Sequence, residues 1–178
     1  MKTLIEKYKK EAVPALQKDF HIGNIMAVPK FKKAVINVGV GRLAKDEKGL
    51  ERISKDLASI TGQRPVTKKA KKSIASFKIR EGLPIGLALT LRGKRMFDFM
   101  DRFVNIALPR SRDFRGIEAK NLDGQGNLNI GIRESSIFPE LNYENMKDVF
   151  SLEVTFVTTA KNKEQGMALF KKMGFPIK

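Results

Sequence analysis

The chain has 178 residues, of which 35 are Lys or Arg and 19 are Asp or Glu, and its net charge of +16 favours partners that carry phosphates. Hydrophobic residues make up 42%, enough to build a core, which excludes a globally disordered chain and fits a single domain spanning 1–178. The absence of cysteine excludes disulfides, Cys-ligated zinc and a thiol nucleophile, and no apolar run approaches the roughly 18 residues that a membrane helix needs.

The first residues, Met1-Lys2-Thr3-Leu4-Ile5-Glu6-Lys7, contain no apolar signal core, so a cytoplasmic protein with no membrane partner is expected. Residues 3–20 read as a helix. Thr3 and Glu6 fit a capping box, and Leu4, Tyr8, Ala12, Leu16 and Phe20 recur every four residues. Pro14 predicts a kink or two short helices. Lys33–Gly41 reads as a strand with Ala34, Ile36, Val38 and Val40 on one face and Val35, Asn37, Gly39 and Gly41 on the other. Asp46–Thr61 reads as an amphipathic helix on Leu50, Ile53, Leu57 and Ile60, closed by Gly62. A short strand is predicted at Val66–Lys69 and another at Leu87–Arg92. Arg95–Ala107 follows as a helix, with Met96, Met100, Phe103, Val104 and Ala107 on its apolar side and Pro109 just beyond its end. Residues 108–126 read as a long loop. Leu128, Ile130 and Ile132 alternate with polar or small residues and mark a strand. Ser151–Thr159 marks another, with Leu152, Val154 and Phe156 inward. Asn162 is placed to cap a last helix that carries Met167, Phe170 and Met173 and ends at Gly174. Strands with one apolar face each predict an α+β fold: a two-layer sandwich with a mostly antiparallel sheet and helices packed on one face. The other face is then polar and open, carrying Asn37, Thr90 and Arg92.

The charge is unevenly distributed. Residues 1–118 hold 27 basic and 12 acidic residues, a net of +15, whereas residues 119–178 hold 8 and 7. From Gln63 to Arg80 there are seven basic residues (Arg64, Lys68, Lys69, Lys71, Lys72, Lys78 and Arg80) and no acidic one. Such a run repels itself unless a polyanion lies beside it, so nucleic-acid contact outweighs a plain solvated loop. Residues 71–86 read as a protruding loop between two strands, ending in Gly and Pro. Within it Phe77 either stacks on a base or anchors the loop. Arg110, Arg112 and Arg115 form a second cluster, suited to bidentate recognition of phosphate or carboxylate, against a bland reading of internal pairs with Asp113.

A search for catalytic residues finds no set of nucleophile, base and orienting group. His21, the lone histidine, reads as a capping or packing residue. Asp98 and Asp101 lie one helical turn apart but among arginines, so surface ion pairs outweigh a metal site. Gly39-Val40-Gly41 lacks both the third glycine of a dinucleotide fingerprint and the ending of a P-loop. No catalytic residue, metal or cofactor is expected. An RNA-modifying enzyme, a DNA-binding architectural protein and a protein-binding adaptor are the weaker alternatives.

Several stretches carry a family resemblance: Asn37-Val38-Gly39-Val40-Gly41, Thr61-Gly62-Gln63-Arg64-Pro65, Ala70 to Gly82, Thr90-Leu91-Arg92-Gly93, Ala107 to Gly116, Asp123-Gly124-Gln125-Gly126-Asn127, Phe138-Pro139-Glu140 and Thr158-Thr159-Ala160-Lys161. In this order they resemble the bacterial large-subunit ribosomal protein five, the family that binds 5S ribosomal RNA, over essentially the whole chain. The resemblance implies a structural RNA-binding protein, not an enzyme, in the central protuberance of the large subunit. Its implied partners are 5S rRNA, large-subunit rRNA, P-site tRNA, a small-subunit head protein and other central-protuberance proteins. It implies 5S rRNA contacts at Asn37, Gln63, Arg64, Thr90 and Arg92. It implies a tRNA-binding loop with Lys71, Lys72, Ser73, Ser76, Phe77, Lys78 and Arg80, and an intersubunit contact through Arg110, Arg112, Arg115, Arg133 and Tyr143. Thr67-Lys68-Lys69 and Asn162-Lys163-Glu164-Gln165-Gly166 depart from the family pattern. At the second, Gly166 is expected to weaken the last helix by about 1 kcal/mol relative to alanine.

Overall fold

The computed structural model describes residues 4–43, 46–112, 114–141 and 149–178. Five strands, β1 (Phe31–Gly39), β2 (Val66–Lys69), β3 (Pro84–Leu91), β4 (Leu128–Ile132) and β5 (Leu152–Thr158), form one antiparallel sheet in the order β2-β3-β1-β5-β4. Together with the helices this is the expected α+β class. In β1 and β3 to β5 alternate residues are buried, and the residues between them are more open to solvent. β1 begins two residues before the predicted start, because Phe31 is itself a core residue, and it ends at Gly39. Val40 remains buried beyond it and donates its N–H to the Ile85 carbonyl at 3.0 Å. β3 begins at Pro84 rather than Leu87, since a proline is tolerated as the first residue of a strand.

Two prolines expected to break or follow helices are absorbed within them. α1 runs through three consecutive segments, α-helical Leu4–Lys7, π-helical Tyr8–Ala12 and α-helical Val13–Asp19. Val13 N–H reaches back five residues to the Tyr8 carbonyl. The widened turn gives room for the ring of Pro14, which would clash with a carbonyl in a regular α-helix. The same device recurs in the third helix, α3, built from Gly93–Arg102, the π-helical Phe103–Ala107 and Leu108–Arg110. Leu108 N–H there bonds to the Phe103 carbonyl, so the helix passes Pro109 and ends at Arg110, three residues later than predicted. Thr3, the expected cap of α1, lies outside the described residues.

The chain forms two compact units, each assembled from separate segments. The first comprises Met1–Ala34, Arg92–Ile130 and Thr155–Lys178. Its core is aromatic. Phe156 packs against Phe103 and Phe175 with ring centroids 5.6 and 5.3 Å apart, and Phe170 against Phe31 and Phe175 at 5.3 and 5.0 Å. Each such pair adds about 0.5–1.5 kcal/mol to the burial of its rings. His21 does not pack in this core. It is exposed, with φ 51°, and Ile22 N–H bonds to the Gln17 carbonyl at 2.9 Å, so His21 ends α1 through its left-handed backbone. The stretch predicted as a long loop is tied down from afar. Ile117 N–H bonds to the Pro176 carbonyl at 2.8 Å, and Lys178 N–H bonds to the Ile117 carbonyl at 2.9 Å.

The turn at Asp123 is organised by one carboxylate. Asp123 Oδ1 accepts from Gln125 N–H at 2.9 Å and Asn127 N–H at 2.8 Å, while Oδ2 accepts from Asn127 Nδ2 at 2.8 Å. Desolvation pushes this carboxyl up, but the hydrogen bonds from Asn127, Gln125 and Gly126 together outweigh it and hold it below the ordinary carboxylate range. A carboxyl depressed by folding stabilises the protein above its unfolded value, and that stabilisation is lost as pH falls through the folded value. Asp123→Asn is therefore expected to lower the unfolding temperature at neutral pH, with the gap from wild type closing as pH drops below the ordinary carboxylate range. Thermal melts across pH 2–7 check this, and a gap that is constant with pH would contradict it.

The second unit comprises Val35–Leu91 and Gly131–Val154. Helix α2 (Glu47–Thr61) starts at Asp46, whose Oδ1 accepts Gly49 N–H at 3.1 Å. It ends at Gly62, with φ 69°, a left-handed conformation that suits glycine. Its buried Ile53, Leu57 and Ile60 and the inward Ile36, Val38, Leu87, Leu89 and Leu91 of the strands form the core of this unit. Fully burying each of these larger side chains contributes about 1.5–3 kcal/mol. The last helix of the chain, α4 (Lys163–Lys172), lies in the first unit and starts at Asn162, which accepts Gln165 N–H at 3.0 Å as its sequence predicts.

Candidate nucleic-acid interface

The outward face of the strands in the second unit is built by alternation. On β1 the buried Ile36 and Val38 leave Asn37 exposed between them. On β3 the buried Leu89 and Leu91 leave Thr90 half-buried on the outward side. β1 and β3 are neighbours in the sheet, so the two polar residues share one face. Gln63 is drawn to it from the end of α2. The buried hydroxyl of Thr61 lies 2.7 Å from the Leu57 carbonyl and accepts Gln63 N–H at 3.3 Å. Gly62 reverses the chain, and Gln63 Nε2 then donates to the Thr90 carbonyl at 3.2 Å. The structure thus joins Gln63 and Thr90 directly and leaves Arg64 exposed beside them. Arg92 is not brought together with them within that unit. It is an exposed, extended residue at the start of α3, and it belongs to the first unit.

The basic run forms a finger. β2 pairs antiparallel with β3, from Val66 opposite Ala88 to Lys69 opposite Pro84, with a shift of register between Lys68 and Lys69. Beyond the pair, Ala70 N–H bonds to the Leu83 carbonyl at 2.8 Å and Gly82 N–H to the Ala70 carbonyl at 3.0 Å, closing the base. Ile74 and Ile79 exchange backbone hydrogen bonds of 3.0 and 3.2 Å, and a tight turn at Ala75–Phe77 makes the tip. Ser73 Oγ accepts Glu81 N–H at 2.9 Å, so one of the expected contact residues also braces the finger. Lys71, Lys72, Ser76, Lys78 and Arg80 are exposed, and Phe77 is 71% exposed. That exposure removes the reading of Phe77 as a hydrophobic anchor. None of the seven basic side chains from Arg64 to Arg80 forms an ion pair with another described residue. Their charge is available to an external anion, while the sheet face beside them offers neutral hydrogen-bonding groups.

The remaining expected residues divide between the units. Arg110 ends α3, and Arg112 and Arg115 follow, all three exposed and all in the first unit. Arg133 is exposed just past β4 in the second unit, whereas Asp113 and Tyr143 lie outside the described residues. Asp101 Oδ1 accepts Asn105 Nδ2 at 2.7 Å, and Arg102 Nε donates to the backbone carbonyl of Asp98 at 3.5 Å. Among the described residues no three potential metal ligands come together. No helix among them is long and apolar enough to cross a membrane.

Residues 24–80 match the family described as Ribosomal protein L5, and residues 84–177 match the model of that ribosomal family's C-terminus. The Large ribosomal subunit protein uL5 of Halothermothrix orenii is 52% identical over 177 residues, 99% of each chain. Those of Chloroflexus aurantiacus and Geotalea daltonii are each 51% identical, over 98% and 100% of this chain and 97% and 99% of their own. The chain belongs to the ribosomal protein L5 family. It is a large-subunit ribosomal protein, a structural component of a ribonucleoprotein that works in translation, and not an enzyme. Its ribosome-bound place in the cytoplasm follows from that membership. Its basic surplus has a partner in ribosomal RNA.

Proposed function

We propose that this ribosomal protein binds 5S rRNA and helps attach it in the central protuberance, with the outward sheet face as the contact. The observation that carries the reading is the Gln63–Thr90 hydrogen bond, which holds neutral hydrogen-bonding groups beside a finger whose positive charges have no ion-pair partner among the described residues. Shape, sugars and unstacked bases are what such a face can read on RNA, and phosphates are what the charge can hold. Asn37, Gln63, Arg64 and Thr90 of the second unit make the 5S rRNA contact, and Arg92 of the first unit is assigned to 5S rRNA as well. The finger, with Lys71, Lys72, Ser73, Ser76, Phe77, Lys78 and Arg80, reaches P-site tRNA. Arg110, Arg112, Arg115, Arg133 and Tyr143 face a small-subunit head protein and so form an intersubunit bridge. Large-subunit rRNA and other central-protuberance proteins complete the set of partners. Residues 1–178 act as one RNA-binding domain, a reading favoured by the interleaved segments of the two units, neither of which is a separable stretch of chain.

Tagged protein should co-sediment with large subunits, and cross-linking from the second unit should recover 5S rRNA as its main RNA. Recovery of large-subunit rRNA alone would remove the 5S assignment while leaving a ribosomal role.

A further inference from the structure

A groove of about 420 Å³ opens on the second unit. Its lining includes Asn37 and Gly39 of β1, Gly131 of β4, Arg133 just past β4, Ser151 just before β5 and Glu153 within it. The alternation of buried residues gives all six the outward parity: Ile36 and Val38, Ile130 and Ile132, and Leu152 and Val154 are the buried neighbours. β1, β5 and β4 are adjacent in the sheet, so the groove lies on the same outward face as Asn37. Its volume falls in the range of small-molecule sites.

Two of its lining residues are glycines that the fold does not require. Gly39 and Gly131 both have ordinary backbone conformations, and a Cβ added to either would meet no atom within 4 Å. Glycine weakens a strand and offers no side chain to pack, and at these two positions of one groove it leaves, among the described residues, open room for another molecule to approach the backbone closely. A floor without side chains at Gly39 and Gly131 leaves room for a planar ring. Around it stand a guanidinium (Arg133), a carboxylate (Glu153), an amide (Asn37) and a hydroxyl (Ser151), which together donate to and accept from a base edge, a ribose hydroxyl and a phosphate.

We propose that this groove is a pocket for one unstacked nucleotide of ribosomal RNA, with Gly39 and Gly131 as the floor and Arg133 and Glu153 at its rim. The inference rests on the reading of the sheet face as the 5S rRNA contact, and it gives Arg133 a role on RNA in addition to the small-subunit contact proposed above.

The test uses the full chain and transcribed 5S rRNA, with a central-protuberance fragment of large-subunit rRNA as the second probe. Gly131→Val should melt no lower than wild type, since valine favours strands. It should bind 5S rRNA about ten- to hundredfold more weakly, the worth of one stacked base. Chemical probing should show one unpaired nucleotide that wild type protects and Gly131→Val exposes, the rest of the footprint remaining. Gly39→Ala, a smaller intrusion on the same floor, should weaken protection of that same nucleotide. Undiminished binding and an unchanged footprint in both variants would overturn the pocket while leaving the sheet-face reading in place. Binding of wild type only to the large-subunit fragment would overturn the 5S reading, and the same nucleotide-level contrast on that fragment would still support the pocket. Intact RNA footprints with impaired subunit association would assign the groove to a protein and overturn the proposal.

Discussion

Replacing Gly166 with alanine is expected to destabilise the protein by about 1–3 kcal/mol, the range of overpacking and backbone shifts in a tight site. Helix propensity alone predicts the opposite sign, a gain of about 1 kcal/mol, because glycine is a poor helix former. The contact that reverses it lies in the first unit. Gly166, in the first turn of α4, is buried against the turn that carries Gly126, and a Cβ on Gly166 would sit 2.5 Å from the Gly126 carbonyl oxygen. The converse holds as well: a Cβ on Gly126 would lie 2.9 Å from Gly166 Cα, from the Ala160 Cβ and from the Asn162 carbonyl oxygen. None of these neighbours is the free end of a flexible side chain. The turn is held in place by Thr158, whose Oγ1 donates to the Gly126 carbonyl at 2.9 Å and whose N–H bonds to Asn127 Oδ1 at 2.9 Å. Denaturant unfolding of Gly166→Ala decides the matter. A midpoint equal to or above that of wild type would mean that the turn can move away at little cost.

The second large effect concerns the finger. Changing Lys71, Lys72, Lys78 and Arg80 together to glutamine removes four exposed charges that have no ion-pair partner among the described residues. Each phosphate contact contributes a slope of about 0.9 to log K against log salt, so tRNA binding should lose about 3–4 in slope and about 10²–10³-fold in affinity near 0.1 M salt. Stability should hardly change, because these side chains pack against nothing in the core and surface substitutions are usually within about 0.5 kcal/mol. Titration of wild type and variant with tRNA at several salt concentrations reads both quantities. An unchanged slope would show that the finger does not lie on the phosphate backbone.

How legible each of these features is in the sequence follows from the range of the interactions behind it. Alternation of Leu128, Ile130 and Ile132 and of Leu152, Val154 and Phe156 marks β4 and β5 within a residue of their observed bounds, because one-sided burial writes a period of two directly into the chain. The cap at Gly62 and the charge run are equally local. The two proline-bearing π turns are not legible in this way, since a five-residue hydrogen bond leaves the apolar spacing almost unchanged. The anchoring of Ile117 by residues 176 and 178 is a backbone pairing across some 60 positions, and nothing in either segment announces the other. Gly166 reads locally as a defect and only acquires its reason when Gly126 is placed against it. At the candidate interface, alternation places Asn37 and Thr90 on one face. The Gln63–Thr90 bond and the shared groove of Asn37 and Arg133 depend on strand order, which no single stretch encodes.

The most direct test of the central claim is equilibrium binding of the full chain to 5S rRNA over a range of salt, for wild type and for Asn37→Ala with Thr90→Ala. The account predicts a steep fall of affinity with salt for both proteins. It also predicts that the double variant binds about ten- to hundredfold more weakly at every salt concentration, with the same slope, because it loses neutral contacts and no charge. Equal affinity of wild type and the double variant would contradict the sheet face as the 5S rRNA contact, and a flat dependence on salt would contradict the role given to the basic charge.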